Sequence, residues 1–394
     1  MHIGQSKTPI RVGFVLHIMQ VAGAEVLVTE TIRRLGSRIE PTVLCLDGVG
    51  ALGERLQREG VRVVPLGRRP GRDWRLVRRL GHELHARDIE VVHAHQYTPF
   101  FYAALARIVG KRDARLILTE HGRHFPDVVS PLRRAVNRFA LDHFADAVNA
   151  CCGFSAQALA RVDGFSVRRI EIVENGIELE RYGGGEPGNG EPNGVSRRLG
   201  LAGVRGQLGL DPGRRYIASV ARFHPVKDHA TLLRGFQQVA VARPDVDLLL
   251  VGDGPLRGDL EQQTRSLDLA GRVRFLGVRS DIPAILKAAN LFALTSLSEA
   301  ASLTILEAMA SRLPVVVTAV GGNPEMVRDG IDGLLVPRGD ASAVGAALLQ
   351  LLDDPMTAEV MGAAGRARVE KRYQLSQTVE NYWRLYQRLC PRKR

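Results

Sequence analysis

The sequence predicts an α/β fold with parallel sheets, and three observations support this prediction. Short apolar runs alternate with segments in which apolar residues recur at helical spacing, from Ile10 to the end of the chain. Glycine is abundant, at 41 of 394 residues, whereas aromatic residues make up only 5%. A stretch rich in Gly and Pro, residues 183–194, divides the alternation into two series. Because strands that alternate with helices form parallel sheets covered on both faces, we expect two α/β domains.

The first series begins with a buried strand at 10–16 and a helix that opens at Gly23. Its other strands are predicted at 41–46, 62–66, 89–95, 115–119 and 147–151. Its other helices are predicted at 50–59, 74–86, 131–145 and 155–161. Asn175 and Gly176 give a turn signal near its end, and we assign residues 1–178 to a first domain.

The second series runs from a strand at 216–220 to an amphipathic helix at 375–389. Its other strands are predicted at 246–251, 273–277, 291–294, 315–318 and 333–337. Its other helices are predicted at 230–243, 341–353 and 357–371, with a further helix that opens at Leu303. We assign 179–213 to a flexible linker, 214–373 to a second domain and 374–394 to a terminal helix.

Composition limits the class of protein. The four cysteines show no metal-ligand spacing, and as reduced thiols they suit a cytoplasmic protein. The N-terminus lacks the pattern of a signal peptide, and no apolar run approaches the roughly 18 residues that a spanning helix needs. We therefore expect a soluble or peripheral membrane protein. Its net charge of +12 also predicts an anionic partner.

Two glutamates eight positions apart, Glu299 and Glu307, mark the most informative stretch. Glu299 is predicted in a loop of small polar residues after the strand at 291–294, and Glu307 about one turn into the next helix. The N–H groups at the amino end of that helix suit an anionic phosphate. Alone, the pair is weak evidence, because acidic residues are common in the chain.

Basic residues and glycines in neighbouring loops also suit a phosphate ligand. Arg222 and Lys227 lie between the strand at 216–220 and the following helix, where Arg offers a bidentate fork and Lys a compact charge to a diphosphate. Other predicted turns carry glycines that allow close backbone approach: Gly252, Gly254, Gly277, Gly321 and Gly322. The last two, followed by Asn323 and a Pro-started helix, predict a backbone anion nest.

Histidines follow or end two strands of the first series. His121 comes after the strand at 115–119, at the carboxyl end where open α/β sheets bind ligands. His93 and His95 lie on one face of a strand, and without a third ligand nearby we favour a structural pair over a metal site. The Asp245-x-Asp247 pair begins a strand rather than ending one, so we predict no metal site there either.

The stretch from the strand at 291–294 through Glu299, Glu307, Pro314 and the Gly321 turn resembles the donor site of family-four retaining glycosyltransferases of the GT-B fold. The turn at Gly23 and the Asn175-Gly176 segment are similar to other segments of that family. The resemblance covers nearly the whole chain. It implies two Rossmann-like domains facing across a cleft, with the terminal helix returning to the first domain.

The resemblance implies a metal-independent hexosyltransferase. It would move a sugar, with retention, from a nucleotide-diphosphate sugar to a hydroxyl of a glycan, lipid-linked or small-molecule acceptor. A UDP-sugar is the favoured donor, and no separate cofactor is implied. Catalytic roles fall to His121, Arg222, Lys227 and Glu299. Donor-binding roles fall to Gly23, Asn175, Arg222, Lys227, Gly252, Gly254, Gly277, Glu307, Gly321, Gly322 and Asn323.

Two other functions stay open at this point. A nucleotide-sugar epimerase shares the architecture and would act on the donor without an acceptor. A nucleic-acid-binding protein is suggested only by charge, because no recognition motif or aromatic stacking platform accompanies the basic residues.

The surplus charge also predicts peripheral contact with the anionic inner face of a membrane. Arginines of the first domain form two groups, and Trp74 beside the first could insert at headgroup level. The groups are Arg68, Arg69, Arg72, Arg75, Arg78 and Arg79, and then Arg123, Arg133, Arg134 and Arg138.

Overall fold

The computed structural model describes residues 8–111, 113–122, 130–183 and 202–391. The chain divides into two compact units, each built around its own parallel sheet. The first unit comprises Met1–Asn175 and Ser376–Arg394, and the second comprises Gly176–Leu375. The two-domain α/β prediction is therefore confirmed.

The first unit contains the described strands and helices of the amino-terminal half. The strands are β1 (Ile10–Ile18), β2 (Ile39–Gly48), β3 (Arg62–Pro65), β4 (Val91–His95), β5 (Arg115–Glu120), β6 (Ala147–Ala150) and β7 (Ile170–Ile172). The α-helices are α1 (Gly23–Leu35), α2 (Gly50–Arg58), α3 (Trp74–Ala86), α4 (Tyr97–Gly110), α5 (Pro131–Val136), α6 (Asp142–Phe144) and α7 (Gly153–Ala158). Across the described residues the strands pair in parallel in the order β3-β2-β1-β4-β5-β6-β7.

The second unit repeats this organisation. Its strands are β8 (Arg215–Val220), β9 (Val246–Val251), β10 (Val273–Gly277), β11 (Leu291–Leu294), β12 (Val315–Thr318) and β13 (Gly333–Val336). Its helices include α8 (His229–Ala242), α9 (Arg257–Ser266), α10 (Ile282–Ala288), α11 (Leu303–Ala310), α12 (Asn323–Met326), α13 (Ala341–Asp353) and α14 (Pro355–Arg372). The described strands pair in the order β10-β9-β8-β11-β12-β13.

Central strands are buried along their whole length because helices cover both faces of each sheet. Every residue of β9 is buried, and so is every residue of β11 and β12. Their carboxyl ends meet at one edge of the sheet, where the polar loops begin. The fold thus places the predicted site residues of each unit along that edge.

The terminal helix α15 (Leu375–Leu389) packs on the first unit. Its apolar side buries Val379, Tyr382 and Tyr386. The Tyr386 hydroxyl lies 2.7 Å from His93 Nδ1 on β4, and the Thr378 hydroxyl donates to the Glu174 carbonyl oxygen. The predicted return of this helix to the first domain is confirmed.

The predicted helix at 131–145 is interrupted. A wider, π-helical turn at Asn137–Leu141 separates α5 from α6. Asn137 is fully buried, accepts from the Tyr97 hydroxyl and donates to the Asp163 carbonyl oxygen. The amide of Asn137 therefore holds the helix inward at the point where its backbone widens.

The predicted linker at 179–213 is largely ordered at its two ends. Leu179–Tyr182 forms a 3-10 helix, and Tyr182, Arg205 and Leu210 are buried in the second unit. Residues 184–201 of the predicted linker lie outside the described residues. None of the helices in the described ranges combines the length and apolar character that crossing a bilayer requires.

Candidate active site

Hydrogen bonds join three strand-end loops of the second unit. The Leu297 amide donates to the Val226 carbonyl oxygen at 2.7 Å, which ties the loop after β11 to the loop after β8. The Thr318 hydroxyl, at the end of β12, donates to the Ser296 carbonyl oxygen at 2.6 Å. These bonds fix the loops that carry the predicted catalytic residues.

Lys227 and Glu299 form an ion pair between two of these loops. The Glu299 carboxylate also accepts a 2.6 Å hydrogen bond from the Ser296 hydroxyl. Asp228, with a left-handed backbone at φ 44°, caps α8 by accepting from the Thr231 amide and so holds the end of the Lys227 loop. Arg222 is exposed and makes no ion pair within the described residues. One cation is thus partly neutralised, while the other is available to an anionic ligand.

Glu307 lies on α11 and is partly buried. Burial raises its pKa to about 7, although a hydrogen bond with Tyr182 works in the opposite direction. Burial also raises the pKa of the Tyr182 hydroxyl. The sequence analysis missed Tyr182 because it falls inside the predicted flexible linker, yet its hydroxyl occupies a hydrogen-bonding position on Glu307.

His229, the first residue of α8, is a second group that the sequence analysis missed. It is 2% exposed and packs edge-on against Phe223, with ring centroids 5.0 Å apart. Burial, with a smaller effect from the charge of Lys227, lowers its pKa to about 4. A neutral imidazole therefore lies directly behind the Lys227 loop.

Two predicted glycines allow the loops to touch. A side chain at Gly252, where φ is 138°, would place its Cβ 2.1 Å from the Ala221 carbonyl oxygen. At Gly321, where φ is 56°, the Cβ would lie 1.7 Å from the Glu299 carbonyl oxygen. Both positions must be glycine because the backbone of a functional loop lies against them.

The anion nest is predicted at the turn of Gly321 and Gly322, and two amides of that turn, those of Gly322 and Asn323, already have backbone acceptors. The Gly322 amide donates to the Glu299 carbonyl oxygen at 3.1 Å, and the Asn323 amide donates to the Val320 carbonyl oxygen at 3.0 Å. Asn323 is fully buried, and its side chain donates to the Thr318 carbonyl oxygen. The turn therefore fixes the position of Glu299 and does not offer these N–H groups to a ligand.

The other two predicted glycines differ in what surrounds them. A Cβ at Gly254 would lie 2.4 Å from the Phe223 carbonyl oxygen, so this position also serves loop packing. Gly277 has a φ of 67°, and its Cβ would meet only the end of the Arg257 side chain at 3.9 Å. Its glycine is required by backbone conformation rather than by a close neighbour.

In the first unit, His93, His95 and His121 form a row of rings at the ends of β4 and β5. The centroids of His93 and His95 are 4.2 Å apart, and those of His95 and His121 are 5.1 Å apart. Both His93 nitrogens are used within the protein, by the Tyr386 and Thr119 hydroxyls at 2.7 Å each. His93 is therefore a structural residue, as the sequence analysis favoured.

Burial keeps this row neutral. It lowers the pKa of His93 to about 3 and that of His121 to about 4. It also lowers the pKa of His95 well below its usual value, with help from the charges of His93 and His121. Around neutral pH these rings therefore act as hydrogen-bonding groups and not as cations.

Gly23 and Asn175 are the other predicted residues of the first unit. Gly23 is the first residue of α1, and Ala22 before it has an extended backbone at φ −147°, which any residue adopts. Asn175 is 6% exposed, and its Oδ1 has no hydrogen-bond partner in the described chain. The predicted site residues thus form two sets, one in each unit.

The described residues contain no group of three or more His, Cys, Asp or Glu side chains that could hold a metal ion. Asp247, which is 1% exposed, is paired with Arg214 and Arg272. Asp245 is paired with Arg215. The Asp-x-Asp pair therefore fastens the start of β9 to its neighbours.

Two family models match the chain, one in each unit. The model described as Glycosyltransferase Family 4 matches residues 21–181, and the model described as Glycosyl transferases group 1 matches residues 204–368. The chain belongs to the family-four glycosyltransferases. The epimerase and nucleic-acid-binding functions considered above are not favoured by these matches.

Two relatives agree with this assignment. N-acetyl-alpha-D-glucosaminyl L-malate synthase of Bacillus anthracis is 26% identical over 80% of this chain and 79% of its own. The GDP-mannose-dependent monoacylated alpha-(1-6)-phosphatidylinositol monomannoside mannosyltransferase of Corynebacterium glutamicum is 30% identical, over 55% of this chain and 58% of that protein. This second alignment thus spans less than two thirds of the relative.

The structure of Anabaena HepE, solved in complex with UDP and glucose, superimposes with a TM-score of 0.82 at 22% identity. It covers 95% of this chain and 99% of that one. The likeness establishes the GT-B fold of this glycosyltransferase.

Proposed function

We propose that this glycosyltransferase transfers a hexose, with retention, from a UDP-sugar to a hydroxyl of a lipid-linked or membrane-proximal acceptor. The observation that carries the proposal is the arrangement of Arg222, Lys227 and Glu299 on hydrogen-bonded loops at one edge of the second sheet. A cationic pair beside a carboxylate suits a diphosphate joined to a hydroxyl-rich sugar.

Each residue of this set has a distinct role in the proposal. Arg222 and Lys227 stabilise the negative charge that develops on the leaving diphosphate. Glu299 accepts from hydroxyls of the transferred sugar, and Glu307 accepts from the ribose hydroxyls. Because Glu299 is already engaged by Lys227 and Ser296, we assign it a positioning role and not that of a covalent nucleophile.

The donor assignment draws on the solved neighbour, which binds UDP, while one relative is named as dependent on GDP-mannose. The named relatives act on malate and on a phosphatidylinositol mannoside, both of which are acidic. An acidic acceptor also suits a chain with a net charge of +12.

We further propose that transfer needs no divalent metal, because Arg222 and Lys227 supply the positive charge at the diphosphate. The test is transfer in the presence of excess EDTA. Unchanged turnover is expected. Full loss of turnover, restored by magnesium or manganese, would refute metal independence without touching the transferase assignment.

We place the acceptor at a membrane surface because the first unit exposes apolar and basic side chains together. Leu132, Val136 and Phe139 are spaced along one side of the α5 region, and Leu132 and Phe139 are 69% and 78% exposed. Arg134 and Arg138, in the same segment, are exposed as well. Basic residues around an apolar side suit an anionic bilayer, here the cytoplasmic face.

Trp74, which is 62% exposed, lies beside exposed Arg75 and Arg78 at the start of α3. Arg79 differs because it pairs with Asp73, the residue that caps α3. Arg123, which the sequence analysis included in the second group, lies outside the described residues.

The donor is tested by thermal unfolding of the purified protein with UDP-, GDP- and ADP-sugars. Only ligands that bind the folded state raise the apparent stability. A UDP-sugar is expected to give the largest shift. Incubation of that donor with malate, inositol 3-phosphate or a lipid-linked acceptor then tests transfer, and the anomeric configuration of the product tests retention. Stabilisation by none of the nucleotide sugars would overturn the proposed function.

A further inference from the structure

Three side chains at strand ends of the first unit form a hydrogen-bonded group that is separate from the residues described above. His17 lies near the end of β1, Asp47 near the end of β2, and Arg68 just after β3. His17 Nδ1 is 2.9 Å from one oxygen of the Asp47 carboxylate. Arg68 donates to both oxygens of the same carboxylate, from Nε at 2.7 Å and from Nη2 at 3.2 Å. The group therefore lies at the edge of the first sheet where open α/β sheets bind ligands.

The pairing of β1 with β2 is irregular at this point. The register shifts by one residue between Leu16 and Ile18, so that two residues of β2 lie opposite His17 alone. Asp47 is one of these two residues. A bulge of this kind re-aims a side chain, and bulges are frequent beside functional sites. The Arg68 amide is held in place as well, because it donates to a carbonyl oxygen of β2 at 2.7 Å.

Asp47 decides which ring nitrogen of His17 carries a hydrogen. Partial burial raises the pKa of Asp47, but hydrogen bonds from Arg68 and His17 outweigh this effect, and the pKa is lowered. Asp47 is therefore an ionised carboxylate at neutral pH, and a carboxylate can only accept hydrogen bonds. His17 Nδ1 must consequently be an N–H group. In the neutral ring, the hydrogen on Nδ1 leaves Nε2 as a lone pair.

The other nitrogen, Nε2, is open to a ligand. It makes no hydrogen bond among the described residues, and the side chain of His17 is 29% exposed. Its lone pair needs a hydrogen-bond donor, which an ionised carboxylate or phosphate does not supply. The charge of Arg68 is also already paired with Asp47. A hydroxyl group suits the site, because it can donate to Nε2 and accept from an N–H group of Arg68 that Asp47 does not use.

The proposed donor site uses Arg222, Lys227 and Glu299, all of which lie in the second unit. Under the proposed function, a hydroxyl bound in the first unit therefore belongs to the acceptor. We propose that His17 binds a hydroxyl of a polyol portion of the acceptor through Nε2, and that Asp47 is a positioning residue that keeps the ring in the Nδ1–H form. The identity of the ligand as the acceptor rests on the proposed function, whereas the tautomer is a property of the free protein.

The tautomer can be measured without ligand from long-range proton–nitrogen correlation spectra of protein labelled with 15N-histidine. The pH should lie well above the range in which histidine ordinarily titrates. The His17 signals are those that disappear in His17→Gln. We expect His17 to be protonated at Nδ1 and unprotonated at Nε2. A wild-type ring that is protonated only at Nε2 overturns the proposal.

Asp47→Asn tests the positioning role. The amide oxygen of the variant should stay with Arg68, which can only donate, so that the NH2 group faces Nδ1 of His17. The ring should then move to the Nε2–H form, and Nε2 should change from an acceptor to a donor. Asp88→Asn is the matched control, because Asp88 also pairs with an arginine and is a partly exposed carboxylate of the same unit. It should leave the His17 spectrum unchanged. An unchanged tautomer in Asp47→Asn would count against the role of Asp47.

Two small probes identify the chemical class of the ligand. The neutral polyol myo-inositol should shift the Nε2 signal of His17 in the wild-type protein, and this response should be lost in Asp47→Asn. Succinate, an anion without hydroxyl groups, should leave the signal in place. A response to succinate alone, or to neither probe, would overturn the proposal.

Transfer assays provide the functional readout, with the acceptor that supports transfer in the assay above. His17→Phe removes both nitrogens and should lower kcat/KM for the acceptor by roughly thirtyfold, whereas His17→Gln keeps an oxygen near Nε2 and should stay within about fivefold. Neither variant should change the thermal shift that a nucleotide sugar produces. Equal losses in the two variants would count against hydroxyl binding by Nε2. A protein with the expected tautomer and inositol response that no nucleotide sugar stabilises would refute the proposed function while supporting the His17 site.

Discussion

The sheets of the two units share one strand order but carry different groups at their strand ends. Counted from β1, the order of the described strands in the first unit is 3-2-1-4-5-6-7; counted from β8, that of the second is 3-2-1-4-5-6. The first presents neutral imidazoles, centred on His95. The second presents the Lys227–Glu299 ion pair and the partly buried Glu307, whose pKa is raised. The topology sets where a ligand can bind, and the side chains set its chemistry.

These groups also give the two units opposite responses to pH. The histidines of the first unit have lowered folded-state pKa values, so they bind protons more readily when the chain is unfolded. Glu307 has a raised folded-state pKa, so it holds its proton more tightly when folded. Stability contributed by the first set is lost on acidification, and that contributed by Glu307 is lost as the pH rises.

Acidification should have the largest effect, and it should act on the first unit. Below the unfolded-state pKa of about 6.5, each buried neutral histidine lowers the free energy of unfolding, by about 2 kcal/mol at pH 5. The free energy of unfolding should therefore fall by several kcal/mol through His93, His95 and His121 together. Amide hydrogen exchange at pH 5 and pH 7.5, corrected for intrinsic rates, measures the loss of protection in each unit.

The second unit should lose less amide protection on acidification. The destabilisation that comes from buried His229 is offset by the stabilisation that comes from protonated Glu307 in the folded state. His82→Gln, at an exposed histidine of the first unit, should leave the profile unchanged. Equal loss of amide protection in both units would show that their different titratable groups do not give them different stabilities at low pH.

Lys227→Ala should have the next largest effect, on catalysis. It removes a cation from the proposed diphosphate site and costs about 3 kcal/mol of transition-state stabilisation, roughly a hundredfold in turnover. Steady-state transfer rates at saturating donor measure the change. Lys287→Ala is the matched control, because Lys287 is an exposed lysine of the same unit. Turnover of Lys227→Ala within threefold of wild type would remove Lys227 from the catalytic set.

Glu307→Gln should raise the stability of the protein at high pH and weaken nucleotide binding. At pH 8 the wild-type carboxyl must ionise inside the protein, so the variant should be more stable by on the order of 2 kcal/mol. Near pH 5, where Glu307 is neutral when folded, the two proteins should be alike. Urea unfolding at both pH values measures this difference. Nucleotide binding should weaken in the same variant, and a stability gain that is equal at pH 5 and pH 8 would contradict the assigned cause.

Substitutions that weaken membrane contact should give the smallest effect per residue. Only substitutions in the first unit should weaken it. The protein should co-sediment with liposomes that contain anionic lipid, and it should stay in the supernatant with neutral liposomes. Each exposed arginine near such a surface contributes about 1 kcal/mol, so Arg75→Ser with Arg78→Ser should lower binding by roughly tenfold or more.

Leu132→Ser with Phe139→Ser tests the apolar component of the same surface. Exposed Val241→Ser, in the second unit, is the control. A protein that stays in the supernatant with anionic vesicles at low salt would point to a soluble acceptor.

The second unit was easier to predict because its site residues lie in short local patterns. Glu299 and Glu307 fall on the loop and helix that the sequence predicted, and the loop that carries Lys227 follows a strand that matches β8 closely. The hydrogen bonds of the Gly322 and Asn323 amides could not be predicted from sequence, because which acceptor an amide meets depends on the folded loops. The sequence analysis also missed Tyr182, whose surroundings look like a linker in sequence.

Long-range contacts and weak periodicity explain the remaining differences. His93 and Tyr386 are 293 positions apart in sequence, so no local pattern joins them. Helices α4, α9 and α10 of the described chain were not predicted. Helix α4 is apolar on most sides and shows little contrast, α9 is mostly polar with Leu260 and Thr264 as its buried residues, and α10 is short.

The chain leaves the first unit after Asn175 and returns to it at Ser376, so the second unit is inserted within the first. On the ribosome, the second unit is therefore complete before the first. Almost 300 residues must be synthesised after His93 before the Tyr386 hydroxyl can contact its imidazole. A premature stop just before Ser376 should leave the second unit intact and leave the first unit with an uncovered row of histidines. The unit whose synthesis begins first is thus the last to be completed.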